Sequence, residues 1–170
     1  RCITGDQGPP RVPSLQSVGE SQIIQTPDHI VLITQTNSDV RIISTDERSP
    51  SSDNVRAYLG VSRGHWEGDT LVVETTHFNE KARVRRIQEA GPNLHLIERF
   101  SRVEDDLLLY EATLTDPAVW EAPWTFENPW PRMEPPGLFE WACHETNYGL
   151  INVVRGAQIR ATEYEAGLAR

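Results

Sequence analysis

The amino-acid sequence predicts a mainly β fold: an antiparallel meander that curls into a lipocalin-like barrel or packs as a sandwich, followed by a short C-terminal helical tail. The length of 170 residues suffices for one hydrophobic core but not for two ordinary domains. Short β-branched segments recur at hairpin spacing along most of the chain. Twelve prolines and eleven glycines supply the turns that many short strands require.

The first part of the chain predicts an arm followed by three strands. Residues 1–21 are rich in proline and glycine and show no periodicity, so we expect an extended N-terminal arm that lies on the domain. The segments at residues 22–25, 29–35 and 40–45 are rich in isoleucine and valine and are separated by turn-forming residues, as strands are. We expect the β-barrel domain to span residues 22–146.

The clearest hairpin is predicted over residues 57–77, with its turn at Gly68, which can adopt a positive φ. If Trp66 faces Thr70 across this turn, Glu74 lies on the face that carries the small residues of the facing strand, which are Gly60, Ser62 and Gly64. Small residues leave room for a side chain, a second sheet or a ligand to pack there. This register predicts that Glu74 points inward.

A second hairpin is predicted over residues 94–114, with an acidic turn. Pairing Val103 with Leu107 places Arg99 opposite Glu111, which is a favourable cross-strand charge pair. The agreement of both faces with this pairing indicates that the register is right.

The same register places Glu98 on the apolar face of the second hairpin, among leucine and aromatic side chains. An ionised carboxylate buried there needs a charged partner. We therefore expect Glu98 to be buried and paired with an arginine, either Arg41 or Arg63.

The last part of the chain predicts an edge strand, a final strand and a tail. Residues 120–136 contain three tryptophans and five prolines, which excludes a regular helix and favours an extended edge strand with an aromatic lid. Residues 138–143 form the last predicted strand. Residues 147–170 are expected to be a partly helical tail with breaks at Gly149 and Gly156.

The charge and composition of the chain limit its partners. A net charge of -9 argues against nucleic acid, whose binding depends on clustered cations. No apolar run approaches the ~18 residues of a membrane span. No two histidines have local metal-ligand spacing and no cofactor motif is present, so we expect neither a metal nor a cofactor. The chain opens at Arg1 without a methionine or a signal peptide, so we expect processing or a longer precursor.

Three sequence strings taken together carry a family resemblance: G-H-W-E-G-D-T-L-V-V-E-T at residues 64–75, L-H-L-I-E-R-F at residues 94–100, and A-C-H-E-T-N-Y-G-L at residues 142–150. They resemble an uncharacterised family of secreted bacterial proteins, and the resemblance runs from Arg1 to about Gly156. It implies export, and hence a periplasmic or secreted location, but it implies no activity.

The two cysteines, Cys2 and Cys143, lie near opposite ends of the chain. If the chain is exported, as the resemblance implies, a disulfide between them would fasten the N-terminal arm to the last predicted strand. The alternative is two free buried thiols. Neither cysteine has a neighbouring partner at metal-ligand spacing, so they do not predict a metal site.

Four residues are candidates for acid–base catalysis: Glu74, Glu98, His95 and His144. A desolvated carboxyl group has a raised pKa and can act as a general acid or base. The competing interpretation is that these side chains form ordinary ion pairs and hydrogen bonds.

The candidate contacts to a ligand or partner are mostly aromatic, because tryptophan is enriched at interfaces. They are Trp66, Trp124, Trp130, Trp141, Glu145 and Asn147. The tryptophans can equally be a lid over the open end of a small barrel.

We therefore expect an exported, non-catalytic β-domain that binds another protein or a small apolar ligand, as an accessory subunit on the periplasmic side of a larger assembly. The alternative is a cofactor-independent lyase, isomerase or hydrolase with an acid–base site in the barrel mouth. A cavity that receives at least two of the four acid–base candidates would favour the enzyme.

Overall fold

The computed structural model describes residues 9–12, 20–46, 55–80, 91–134, 137–140 and 148–167. The described residues form eight strands and one α-helix: β1 (Ser21–Gln25), β2 (His29–Thr34), β3 (Val40–Ser44), β4 (Val61–Glu67), β5 (Thr70–Thr76), β6 (His95–Glu104), β7 (Leu107–Thr115), β8 (Trp124–Pro131) and α1 (Gly149–Glu165). The strands lie side by side in chain order in one sheet, which curls into a half-barrel. The predicted mainly β, barrel-like fold is confirmed.

The sheet departs from an antiparallel meander at one place. β3 and β4 run parallel and pair only at Ser44 and Arg63, whereas every other neighbouring pair is antiparallel. Parallel neighbours need a connection that returns the chain to the starting end of the sheet. Residues 45–60 connect the two strands.

The predicted register of the first hairpin is wrong by one residue. Glu67, rather than Trp66, pairs with Thr70, so the turn contains only two residues. Gly68 adopts a φ of 60°, which lets the strands reverse within so short a turn. A one-residue slip exchanges the two faces of a strand. Glu74 therefore points outward and is exposed, and the side chains of Leu71 and Val73 are buried instead.

The predicted register of the second hairpin is confirmed except beside its turn. Arg99 lies opposite Glu111, as expected. Val103 does not pair with Leu107, because a bulge between Arg102 and Glu104 shifts the pairing and Glu104 takes the place opposite Leu107. The bulge absorbs the extra residue and leaves the rest of the ladder unchanged.

The inner face of the half-barrel carries the hydrophobic core. Alternate residues of the strands point to this face, as the burial pattern of β6 and β7 shows. The core cluster contains Ile30, Ile43, Leu71, Val73, Phe78, Leu94, Leu96, Phe100, Tyr110, Ala112 and Leu114. Gly64 lies against this cluster: a Cβ atom there would come within 3.0 Å of Ile43 and 3.2 Å of Leu71. The room left by a small residue in β4 is thus filled by neighbouring side chains.

The described part of the N-terminal segment, residues 9–12, lies against this core. Pro9 and Pro10 are buried, and Val12 packs on the core cluster. The backbone N–H of Arg11 donates a hydrogen bond of 2.9 Å to the hydroxyl of Tyr110. The arm that the sequence predicts contacts the domain at least through these residues.

The C-terminal part of the chain differs from its prediction in two respects. β8 is an edge strand of the sheet, as expected, but residues 138–140 are not part of any strand. α1 begins at Gly149 and continues through Gly156, where a break was expected. One glycine inside a helix costs only about 1 kcal/mol relative to alanine, which the flanking turns of α1 can offset.

Candidate functional site

A buried ion pair lies at the centre of the inner face. Arg41 is 6% exposed and Glu98 is 0% exposed. The Nη1 atom of Arg41 donates to Oε1 of Glu98 at 3.0 Å, and Nη2 donates to Oε2. The prediction that Glu98 is buried and paired with Arg41 or Arg63 is confirmed, with Arg41 as the partner. Two parallel hydrogen bonds of this kind offset part of the cost of removing both charges from water.

Three hydroxyl groups complete the network around this ion pair. Arg41 donates from Nε to the hydroxyl of Ser62 at 2.8 Å and from Nη2 to that of Thr75 at 2.6 Å. Tyr110 donates its hydroxyl proton to Oε1 of Glu98 at 2.8 Å. Burial raises the pKa of Tyr110 well above its ordinary value, and the charge of Glu98 raises it further. Tyr110 therefore remains a neutral donor, and the network acts as a structural support.

The acid–base candidates do not form one site. Nε2 of His95 lies 2.6 Å from Oε1 of Glu74, and both side chains are on the outer face. Glu98 belongs to the inner face and is bonded to Arg41. The sheet thus separates Glu98 from the other two residues. His144 lies outside the described residues.

A second set of ion pairs lies on the outer face, near the β4–β5 turn. Glu67 accepts a hydrogen bond of 2.8 Å from Nη2 of Arg99 and lies 3.3 Å from Nε2 of His65. The hydrogen bond from Arg99, followed by that from His65, lowers the pKa of Glu67 below its ordinary value. These side chains are solvated, so the pairs have the character of ordinary surface ion pairs.

Two of the aromatic candidates, Trp124 and Trp130, lie on the edge strand β8. Trp124 and Trp130 of β8 pack against the core cluster, and the ring of Trp130 stacks on Tyr110 with 4.9 Å between centroids. The guanidinium of Arg11 lies 5.4 Å from the centre of the Trp130 ring. Trp66 is exposed near the β4–β5 turn. Trp124 and Trp130 thus cover part of the core cluster, and their role in contacting a ligand or partner stays a prediction.

The remaining candidates fall outside the described residues. They are Trp141, Glu145 and Asn147 among the contact residues, and Cys2 and Cys143 of the expected disulfide. The disulfide stays a prediction.

The sheet opens between β3 and β4. We call this opening the β3–β4 notch; it has a volume of about 440 Å³ and is lined by residues 38–42 on one side and by residues 57–60 and Ser62 on the other. The floor is formed by Arg41, which reaches across to Ser62. Neither the notch nor the small space of about 10 Å³ beside it is lined by Glu74, Glu98 or His95.

The helix α1 provides a second candidate binding surface, because it is exposed on all sides. None of the 17 residues of α1 is buried. One side of the helix carries an apolar row, the α1 stripe, which consists of Leu150, Val153, Val154, Ala157, Ala161 and Tyr164. The spacing of these residues is visible in the sequence. Gly149 and Gly156 obscure the pattern, because glycine in such a segment usually indicates a break in a helix.

Among the described residues, no three histidine, cysteine, aspartate or glutamate side chains are grouped so that they could hold a metal ion. No helix in this part of the chain has the length and apolar character needed to cross a bilayer. Comparison with protein-family models, with curated proteins and with solved structures gave no match.

Proposed function

We propose that this chain is an exported, non-catalytic interaction domain, an accessory subunit on the periplasmic side of a larger assembly, in which α1 binds a partner protein. One observation carries the proposal: α1 has no buried residue, yet it exposes six large apolar side chains, four of which lie in the α1 stripe. Leu150 is 75% exposed and Tyr164 is 78% exposed. Contiguous apolar surface of this kind marks protein interaction sites.

The stability of a helix supports the same conclusion. Most helical stability in proteins comes from packing an apolar face, and an isolated helix of about 15 residues is marginal in water. α1 lacks such packing within the described residues. A partner groove that receives the α1 stripe would supply the missing burial, at about 25 cal/mol for each Å² of apolar surface removed from water.

The interior of the half-barrel favours a partner protein over a small apolar ligand. Val73, Leu96, Tyr110 and Leu114 are completely buried on the inner face. Residues 9–12 and the two tryptophans of β8 pack against the same core. Among the described residues, the chain's own side chains occupy the inner face, where a lipocalin-like barrel would hold a ligand.

The enzyme alternative has less support. Glu74 and His95 form one pair on the outer face, while Glu98 is held by Arg41 on the inner face. General acid–base catalysis needs its groups within hydrogen-bonding reach of one substrate. The sheet keeps these carboxylates on opposite sides.

The experiment compares two double variants of the full chain in an extract of its source, using chemical crosslinking and sedimentation. V154D/A161D adds two negative charges to the α1 stripe. N152D/T162D adds the same two charges to the other side of the helix and is the matched control. We expect the wild type and N152D/T162D to enter the same larger species, and V154D/A161D to remain a monomer.

Two results would count against the proposal. If both double variants assemble as the wild type does, the α1 stripe is not the binding surface. If the purified wild type forms a dimer that V154D/A161D dissociates, the occupant of the α1 stripe is a second copy of the chain. Circular dichroism checks that each variant keeps its sheet.

A further inference from the structure

The β3–β4 notch interrupts an otherwise continuous sheet. β3 pairs with β2 along five residues, and β4 pairs with β5 along seven. Between them, pairing stops after the single contact of Ser44 with Arg63. The two strands therefore turn unpaired edges toward the notch.

The hydrogen-bond pattern shows which backbone groups of β3 face the notch. Thr34 donates its N–H to the carbonyl of Asp39, and Thr45 donates to that of Asp28, so these are the bonded pairs at the two ends of the β2–β3 ladder. Bonded pairs alternate along an antiparallel ladder. The backbone groups of Arg41 and Ile43 thus point to β2.

The backbone N–H and C=O groups of Val40 and Ile42 consequently point into the notch. Neither residue pairs with β4. Within the described part of the chain these groups have no strand partner, and unpaired donors and acceptors at a strand edge are the feature that an added strand recognises. We infer that the β3–β4 notch binds an extended segment of a partner protein, which pairs with β3 through Val40 and Ile42.

The side chains of the notch define the chemistry of this segment. Val40 and Ile42 are 50% and 61% exposed, and Leu59 lies on the facing wall. They offer apolar cross-strand neighbours to β-branched side chains of the added strand. Arg41, which forms the floor of the notch, does not favour an acidic side chain in the segment. Its guanidinium is already bonded to Ser62, Thr75 and Glu98. The net charge of -9 favours a neutral or basic segment over an acidic one.

The ends of the notch limit the length of the segment. On the β3 side the strand residues that line the notch are Val40, Arg41 and Ile42, because β3 begins at Val40 and Ser38 belongs to a 3-10 turn. Three residues at about 3.3 Å each give roughly 10 Å of strand. Gly60 closes the other side with a φ of 69°, and a Cβ atom there would lie 2.7 Å from Thr75. This corner keeps the chain at residues 57–60 turned toward β5 and away from β3. About three residues of an added strand can therefore pair with β3 in the opening.

The notch and the α1 stripe are made of different residues, so the two surfaces can be tested separately. A synthetic peptide takes the place of the partner segment in the notch. The probe is an acetylated and amidated nonapeptide, Lys-Thr-Val-Thr-Val-Thr-Val-Thr-Lys, followed by amide NMR shifts of the full chain. We expect saturable binding, with the largest shifts at Val40, Ile42 and residues 57–60. The same peptide with alternate backbone nitrogens methylated should not bind.

Variants at the edge of β3 test the pairing itself. I42P removes a notch-facing N–H while residues 41 and 43 keep their bonds to β2, and we expect it to weaken peptide binding about tenfold or more. I42V keeps the N–H and an apolar, β-branched side chain and is the control; it should bind as the wild type does. V40P is a second variant, which decides the matter if I42P does not fold. V154D/A161D in α1 should leave peptide binding unchanged.

Three outcomes would overturn the inference. The first is shifts confined to β1, β8 or α1. The second is equal binding by the wild type and both proline variants. The third is a dimer of the free chain that I42P dissociates, since a second copy would then occupy the notch.

Discussion

At the scale of single residues, the structure depends on one charge pair in an apolar interior. Burying two ions costs several kcal/mol for each, which the attraction between them repays only with good geometry. Arg41 and Glu98 have that geometry, and the hydroxyls of Ser62, Thr75 and Tyr110 bond to the remaining polar atoms. Removing either charge alone leaves the other without its counter-ion.

Substitution of Glu98 by glutamine should therefore destabilise the fold strongly. We expect E98Q to lose about 3–5 kcal/mol of unfolding free energy, measured by urea denaturation. E74Q is the matched control, because Glu74 is in an exposed pair with His95; its loss should stay within about 1 kcal/mol. Equal losses in the two variants would contradict the assignment of Glu98 to the core.

The next prediction concerns the pKa of Glu67, whose carboxylate is exposed rather than buried. Arg99 and His65 lower its pKa in the folded chain, so its stabilising contribution is present above the unfolded pKa and is lost as the pH falls through the lower folded value. An NMR titration of Glu67 should show a midpoint below the ordinary range for glutamate, and R99Q should return the midpoint toward that range. A midpoint unchanged by R99Q would disprove the role of Arg99.

At the scale of elements, the contrast between α1 and the sheet is the main feature. The strands β6 and β7 bury alternate residues against one core, whereas α1 buries none. A charge placed on a strand's inner face must lose its hydration, but a charge placed on α1 keeps it. The two kinds of element should therefore respond differently to substitution.

V154D in α1 should change the unfolding free energy by no more than about 0.5 kcal/mol, as exposed substitutions usually do. L96A in β6 should cost about 2–5 kcal/mol, because it leaves a cavity in the core. Urea denaturation of both variants gives the comparison. If V154D destabilises the chain as much as L96A does, α1 packs on its own domain and its stripe is not free for a partner.

The two hairpins and the notch differ in how well the sequence predicts them. The second hairpin was predictable because its charges and its apolar residues select the same register, which places Arg99 opposite Glu111. The first hairpin was not, because its glycine permits a turn one residue tighter than the one assumed. The notch was hidden because the parallel pairing of β3 with β4 follows a connection without periodicity. No local pattern marks where two strands stop pairing.

At the scale of the whole molecule, the disulfide between Cys2 and Cys143 remains a prediction. The bond would close a loop of nearly the whole chain and stabilise it by about 4–5 kcal/mol in the loop-entropy estimate. Intact-mass measurement of the native chain should show a gain of two hydrogen atoms on reduction. Alkylation of both thiols without prior reduction would show that the cysteines are free.

The whole molecule also divides into a framework and two candidate binding surfaces. The hydrophobic core of the half-barrel contains residues of β2, β3, β5, β6 and β7, and side chains of β8 pack against it. The notch and the α1 stripe lie outside that core. A binding domain needs such a division, since surfaces that wait for a partner cannot also be used to stabilise the fold.

Hydrogen exchange followed by mass spectrometry tests the central claim most directly. In the isolated chain, the amides of α1 should exchange much faster than those of β6 and β7, because only the strands are buried. In the assembly isolated from the native source, the α1 amides should become protected while those of the sheet stay unchanged. If α1 is as well protected in the isolated chain as in the assembly, it is not the partner-binding element of this domain.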